Sequence, residues 1–382
     1  MTTTYDTAVI GAGVFGVWTA WHLAQRGQRV VLLESYGPAH NRASSGGETR
    51  IIRMSYGPDE IYTRWSQKSL TQWKQLFANS AEKLFLQTGV LWMAGEGDAY
   101  LQESVANLQR LGVKHELMNR RELELRYPQV NFENVACGML EIESGVLLAR
   151  RAVNCVVENA MRAGVEFRIA QIQQPPSAGP LESILTHSGD RISAGKFVFA
   201  CGPWLAKVFP ELLGSRIFPT RQEVFFFGCP SGDSRFAPPS LPTWLFQGDE
   251  MYGMPDIESR GLKIALDRHG ERVDPDTQSR LPTREAIDQA RAYVARRFPL
   301  LKDAPITETR VCQYENTSNG DFLIDRHPGI SNAWLVGGGS GHGFKHGPAV
   351  GEYVTARVLG EGTAEPRFSL ETKATEQRRS VH

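Results

Sequence analysis

A chain of 382 residues with 41% hydrophobic and 22% charged residues is too long for one compact core and has the composition of an ordinary globular protein, which excludes a disordered or low-complexity role. Lys plus Arg equals Asp plus Glu at 42 each, so no global field attracts nucleic acid or an anionic membrane, and any charged ligand must be met by local groups. Five scattered cysteines form no C-x-x-C pair, which argues against a disulfide framework or a structural zinc site.

No apolar run reaches the ~18 residues of a membrane span, and Met1 to Asp6 shows no basic segment ahead of an apolar one. The expectation is a cytoplasmic protein with neither nucleic-acid nor membrane partners.

In chain order, Thr7 to Ile10 predicts a buried strand, followed by a glycine loop, a helix over Val14 to Gln25 ending at Gly27, and a second buried strand over Arg29 to Glu34. These continuous apolar strands make a βαβ unit of a parallel sheet covered on both faces. Asp98 to Leu111 predicts an amphipathic helix, and Asn119 to Glu122 has capping-box spacing for a short helix stopping before Pro128, with one extended run between them. A helix over Arg151 to Ala163 closes at Gly164. Val165 to Ala200 predicts a small meander, interrupted at Gln173-Gln174-Pro175-Pro176, whose last strand ends at Cys201-Gly202-Pro203. Phe218 to Ala265, with its strand-like alternation, predicts a second, mainly antiparallel sheet. A helix near Thr283 to Phe298, a buried strand over Ala333 to Gly337, a glycine-rich turn and a helix near Pro348 to Leu359 follow, and Lys373 to His382 is read as a solvated tail. Nucleotide-fold features at the beginning, middle and end predict two interleaved domains.

The loop Gly11-Ala12-Gly13-Val14-Phe15-Gly16 follows a strand, opens a helix and has an acid at the end of the next strand, the context that makes G-x-G-x-x-G specific. Gly11 permits the tight turn, Gly13 lets the backbone approach a pyrophosphate, and Gly16 lets helix and strand pack closely. The helix N-terminus offers free N–H groups and a positive dipole to the phosphates. Glu34, eighteen residues after Gly16, can accept hydrogen bonds from ribose hydroxyls and repels a 2′-phosphate, which favours FAD or NAD over NADP.

Further segments are Ser44-Ser45-Gly46-Gly47-Glu48-Thr49-Arg50-Ile51-Ile52-Arg53, Cys312-Gln313-Tyr314-Glu315-Asn316-Thr317, Asp321 to Asp325, and Gly337-Gly338-Gly339-Ser340-Gly341-His342-Gly343-Phe344-Lys345. Together with the first loop, and in this order over nearly the whole chain, they resemble the amine-oxidising flavoproteins of the D-amino-acid oxidase superfamily, in the sarcosine oxidase, N-methyltryptophan oxidase and pipecolate oxidase group.

The resemblance implies an α/β plus β architecture: a discontinuous FAD-binding Rossmann-like domain (1–82, 147–216 and 318–366) interleaved with a mainly antiparallel catalytic domain (83–146 and 217–317), then a tail (367–382). It implies a monomer that oxidises a secondary amine, an N-methyl or cyclic amino acid or a related small molecule, to an imine, with dioxygen reduced to hydrogen peroxide. Cofactor contacts implied beyond the first loop and Glu34 are Ser44, Thr49, Arg50, Gly202, Gly339, Gly341, His342, Gly343, Phe344 and Lys345. Arg53 and Lys345 fall on the substrate carboxylate, Tyr252, Tyr314 and Gly341 line the substrate cavity, Lys263 promotes reaction with oxygen, and Cys312 forms a thioether to the flavin.

Arg50 and Arg53 are three apart, as one helical face needs, and a guanidinium matches a carboxylate with two parallel hydrogen bonds. Lys263 stands in a strand-like run, where an inward charge needs a reason. By resemblance that reason is the superoxide made by the first electron passed to oxygen, which a fixed cation stabilises. His342 and His346 have the i, i+4 spacing of a zinc pair, but no third ligand completes the motif and no metal is expected. The chain departs from sarcosine-type oxidases at Ser45-Gly46-Gly47 and at Asp267, four residues after Lys263, where that group carries histidines. Asp267 could pair with a cationic amine or with Lys263, which puts sarcosine itself in doubt as the substrate.

Alternatives are an amine dehydrogenase using another acceptor, an NAD-linked enzyme, which leaves the Cys312 and Lys345 segments unexplained, and a non-catalytic flavin-binding subunit.

Overall fold

The computed structural model describes residues 4–379. Five strands run parallel in the order Glu166–Ile169, Val30–Glu34, Thr4–Ile10, Arg191–Phe199 and Ala333–Gly337, with Leu323–Arg326 antiparallel at one edge and Ser183–Leu185 antiparallel to Arg191–Phe199. Their apolar runs do not alternate because both faces are covered. Val30 and Leu32 pack with Trp18, Val153 and Val354 of three helices on one side, whereas Val31 and Leu33 pack with Leu205, Phe209 and Leu213 on the other.

The helix Val14–Gln25 has the predicted bounds. It lies so close to the helix Gly347–Val358 that a Cβ on Gly351 would sit 2.6 Å from the Trp18 backbone. The helix Ala99–Arg110 starts at Asp98, whose side chain accepts from the Leu101 amide at 2.8 Å. Asn119 and Glu122 exchange both capping-box hydrogen bonds at the start of Arg120–Arg126.

The second sheet has eight strands in the order Ile306–Asn316, Phe218–Phe227, Leu262–Leu266, Met251–Met254, Thr243–Phe246, Val90–Ala94, Cys137–Glu141 and His115–Asn119. Only Thr243–Phe246 against Val90–Ala94 is parallel; the other pairings are antiparallel. The helix Arg284–Arg297 covers its outer face through Ala290, Tyr293 and Val294. A small sheet of Arg50–Ile52, Gly145–Leu147 and Phe85–Leu86 also forms.

Three expectations change. Glu166–Ile169 is not part of a meander: it follows the helix Ala149–Arg162 and pairs in parallel beside Val30–Glu34, as a βαβ crossover requires. The helix Glu60–Phe77, with Tyr62, Leu70, Trp73 and Phe77 buried, has no counterpart in the predicted elements. The tail is solvated only in part: Thr375 to Arg379 are exposed, but its first residue is not. Lys373 is 1% exposed and donates to Asn319 and to the Arg367 carbonyl, and Arg379 pairs with Asp59; residues 380–382 of that segment lie outside the described residues.

Candidate active site

The carboxyl ends of Thr4–Ile10, Arg191–Phe199 and Ala333–Gly337 open into one trench, as expected where strands of an open parallel sheet diverge. Its outer stretch, a cavity of about 340 Å³, is lined by Gly11, Gly13, Glu34, Ser44, Ser45, Ala200 and Gly202. A middle stretch of about 100 Å³ shares Gly13, Ser44, Ser45 and Gly202 with the outer one and runs on to Cys312, Gly339 and Gly343. An inner stretch of about 70 Å³ shares Arg50, Cys312, Tyr314, Gly341 and Phe344 with the middle one and ends at Arg53, Asp267 and Lys345 under the second sheet. The shared lining makes the three stretches one elongated site, the shape an extended ligand needs.

The first loop behaves as the glycine pattern requires. A Cβ on Gly11 would lie 2.3 Å from the Ala200 carbonyl oxygen, and one on Gly16 would lie 1.9 Å from the Gly11 carbonyl oxygen. These two glycines serve strand–helix packing. At Gly13 the nearest atom would be Ser45 Oγ at 3.5 Å, so this position is open to a ligand. Ser45 Oγ accepts from the Val14 amide at 3.1 Å. Glu34 Oε2 accepts from the Ala12 amide at 2.8 Å, and burial raises its carboxyl above the usual range. Residues Val14 and Phe15 line the middle stretch beneath the helix start.

Arg50 and Arg53 do not share a helical face. Arg50 opens the strand Arg50–Ile52 and Arg53 follows it, because pairing with Gly145–Leu147 extends this segment. Both still reach the inner stretch. The Arg50 guanidinium donates to the Ser44 carbonyl at 2.6 Å and lies 3.6 Å from Cys312 Sγ. Arg53 is 5% exposed, donates to the Ser55 carbonyl, and stands 4.3 Å and 4.9 Å from the ring centres of Tyr56 and Trp92.

Lys345 is 4% exposed; its Nζ donates to Tyr56 Oη at 2.8 Å and to the His342 carbonyl at 2.9 Å. Burial first, and then Arg53, hold it well below the usual lysine range. His342 and His346 close on the same tyrosine, at 3.3 Å and 2.8 Å from its oxygen. Lys263 points inward, 3% exposed, and donates to the Thr49 carbonyl at 3.1 Å and to Thr49 Oγ1 at 3.0 Å. Burial, with Arg50 behind it, pushes Lys263 well below the usual range. Asp267 does not pair with Lys263: its charge acts on Arg53, Lys345, Tyr252 and Tyr314. Those two tyrosines line the inner stretch with it, and burial raises both, Tyr252 to about 12.

Tyr56 and Glu315 belong to this site without having been singled out by sequence, and Ser45 stood out only as a departure from the family. Tyr56 lies just beyond a motif segment and looks like an ordinary core residue until His342, Lys345 and His346 close on its hydroxyl, whereas Ser45 is brought to the first loop, where it meets the Val14 amide. Glu315 sits three residues after Cys312, in the alternating strand that carries it.

A glycine loop on a parallel sheet, opening into a trench that passes beneath a second sheet, defines a dinucleotide-binding protein whose ligand reaches a cavity lined by buried cations. The chain belongs to the DAO family of FAD dependent oxidoreductases, whose model matches residues 6–357. It is 31% identical to the peroxisomal sarcosine oxidase of Homo sapiens over 355 residues, covering 91% of this chain and 90% of that one. It is 30% identical to the monomeric sarcosine oxidase of Bacillus sp. (strain NS-129) over 378 residues, covering 97% and 96%. Among solved structures it superposes on the L-proline dehydrogenase from P. horikoshii with a TM-score of 0.83 and 20% identity, covering 97% of this chain and 98% of that one. FAD fits the residues present: a Cβ on Gly13 would meet nothing nearer than Ser45 Oγ at 3.5 Å, and the open trench leads from Glu34 to the inner cations.

No helix among the described residues is long and apolar enough to cross a membrane.

Proposed function

We propose that this protein oxidises a secondary amino acid, N-methyl or cyclic, or a related amine, to an imine, and that dioxygen is reduced to hydrogen peroxide. The observation that carries this reading is the pair Arg53 and Lys345, two buried cations lining one end of a cavity with the acid Asp267 beside them. Such a pocket suits a zwitterion: the two cations take the carboxylate and the acid faces the amine.

In this reading residues 1–82, 147–216 and 318–366 form the FAD-binding domain, and 83–146 with 217–317 form the catalytic domain. The protein acts as a monomer in the cytoplasm, in keeping with the monomeric relative of similar length. Gly11 to Gly16, Glu34, Ser44, Thr49, Gly202 and Gly339 to Lys345 hold FAD, which when bound supplies the hydride acceptor. Amides at the start of the segment after Gly341 stabilise negative charge developing on the cofactor. Arg50, 3.6 Å from Cys312 Sγ, orients the sulfur for a thioether link. Lys263, buried and short of counter-charge, gains most from its protonated form when an anion develops near it, as in oxygen reduction.

The test is a panel of N-methyl, cyclic and sugar-conjugated amino acids mixed with the holoenzyme without air. At least one amine should bleach the flavin band, and admission of air should restore it with release of peroxide. A flavin that stays oxidised with every amine overturns the proposal.

A further inference from the structure

We propose that Glu141 is a positioning residue for the substrate cavity: from behind the cavity wall it holds the seat on which the Arg53 guanidinium rests, and so sets the affinity for acid-bearing ligands without touching them. This rests on the role given above to Arg53, which takes the substrate's carboxylate.

Glu141 closes the strand Cys137–Glu141, is 0% exposed and does not line the inner stretch of the trench. Burying a carboxylate is costly unless donors meet it, and here both oxygens are met. Oε1 accepts from the Ser55 amide at 2.9 Å, the Ser55 hydroxyl at 2.6 Å and the Trp92 indole at 2.8 Å. Oε2 accepts from the Met54 amide at 2.6 Å and from the Ser144 hydroxyl. Amides and an indole can only donate, so each oxygen is fixed as an acceptor, which is the chemistry of the ionised group.

These donors are the surroundings of Arg53. Met54 and Ser55 are the two residues that follow it, and the pairing of Arg50–Ile52 with Gly145–Leu147 stops just before it. Glu141 takes over where that ladder ends. It holds the amide and hydroxyl of Ser55, whose carbonyl accepts from Arg53, and the indole of Trp92, whose ring centre lies 4.9 Å from the guanidinium. Tyr56 supplies the other ring face, at 4.3 Å. The charge of Glu141 also acts on Arg53 and Lys345, so the two cations have one anion outside the cavity and one, Asp267, inside it.

Charge and position predict opposite signs for the loss of this group. By charge alone Glu141 repels an arriving carboxylate, and neutralising it would tighten binding. By position, neutralising it weakens binding. Whichever way a glutamine amide turns, its NH2 faces a group that only donates: the Met54 amide on one side, or the Ser55 amide and Trp92 indole on the other. The seat of Arg53 then shifts.

The test titrates the oxidised holoenzyme with acetate and reads the flavin difference spectrum. Glu141→Gln should raise the acetate Kd about tenfold or more. Ser144→Ala removes one hydrogen bond to Glu141 while keeping its charge and every contact of Arg53, and should raise the Kd about 2- to 10-fold; it decides the matter if the glutamine chain does not fold. In Arg53→Met chains, where Lys345 remains to bind the probe, both changes should alter the Kd by less than about twofold, because the residue they position is gone. Unchanged or tighter acetate binding in the chains that keep Arg53 overturns the proposal, and so does an equal loss in both backgrounds, which marks a general disturbance of the fold. If Arg53→Met binds acetate as well as the wild type, the role of Arg53 falls and this proposal with it. If Arg53→Met binds weakly while Glu141→Gln and Ser144→Ala bind normally, this proposal falls alone.

Discussion

Lys345 Nζ lies 2.8 Å from Tyr56 Oη, and that oxygen lies 2.8 Å from His346 Nε2. The cation at the inner end of the trench is thus tied to buried groups that all disfavour charge: burial holds His346 and His342 well below the usual histidine range, with Lys345 adding to the effect.

A carboxylate arriving at Lys345 favours its protonated form, so binding should take up a proton at any pH above the depressed lysine value. Affinity should then fall as pH rises. Calorimetric titration with acetate in two buffers of different ionisation enthalpy measures the uptake. Lys345→Met should abolish it and weaken binding about tenfold or more; uptake undiminished in that variant would place the titrating group elsewhere.

Lys263 donates to Thr49 and does not line the cavity that holds Arg53 and Lys345. Lys263→Met should therefore slow reoxidation of the reduced enzyme by oxygen about 100-fold while leaving anaerobic reduction by amine nearly unchanged. Stopped-flow traces of the two half-reactions separate them, and equal slowing of both counts against the role.

Cys312, with Arg50 3.6 Å from its sulfur, is the residue proposed to carry the flavin covalently. Flavin colour should stay with acid-precipitated wild-type protein and pass to the supernatant for Cys312→Ser. Free flavin from the wild type rules the link out.

Asp267 shares its cavity with two cations and acts electrostatically on both. Asp267→Asn should raise the Kd of an amino-acid substrate about tenfold and lower that of an amine-free carboxylate, because the neighbouring anion no longer opposes it. Flavin difference spectra give both constants, and shifts in the same direction would contradict a contact with the amine.

Burial lowers His22 and His40 to about 4, and His342 and His346 also lie well below the usual histidine range. The unfolded chain binds these protons near pH 6.5 and the folded one does not, so stability is retained above that pH and lost as pH falls toward 4. His22 alone should account for about 2–3 kcal/mol over this window. Thermal melts of wild type and His22→Gln check it; the variant should lose less Tm on acidification.

Much of the fold was legible because local chemistry and tertiary demand coincide. Val14 to Gln25 is helical by its own pattern, opened by a glycine loop, and Asn119 with Glu122 carries its capping box in four residues. Glu166–Ile169 was misread because strand partners are chosen by the crossover helix before it, which residue alternation does not encode. The spacing of Arg50 and Arg53 suggested a helix for the same reason: a spacing of three residues does not report that a distant segment, Gly145–Leu147, will pair with them and extend the backbone.

The sequence by itself determined the dinucleotide loop, the acid Glu34, the separated motifs and, through their resemblance to a family, the cofactor, since each rests on residue type within one short stretch of chain. Only the tertiary structure decided that Asp267 turns toward Arg53 and Lys345 and not toward Lys263, that Tyr56 joins Lys345 to two histidines, and that Glu315 is sealed beside the trench with an unpaired oxygen. Those properties depend on burial and on distances between segments up to hundreds of residues apart, and the electrostatic character of a group follows from what the fold removes from water around it.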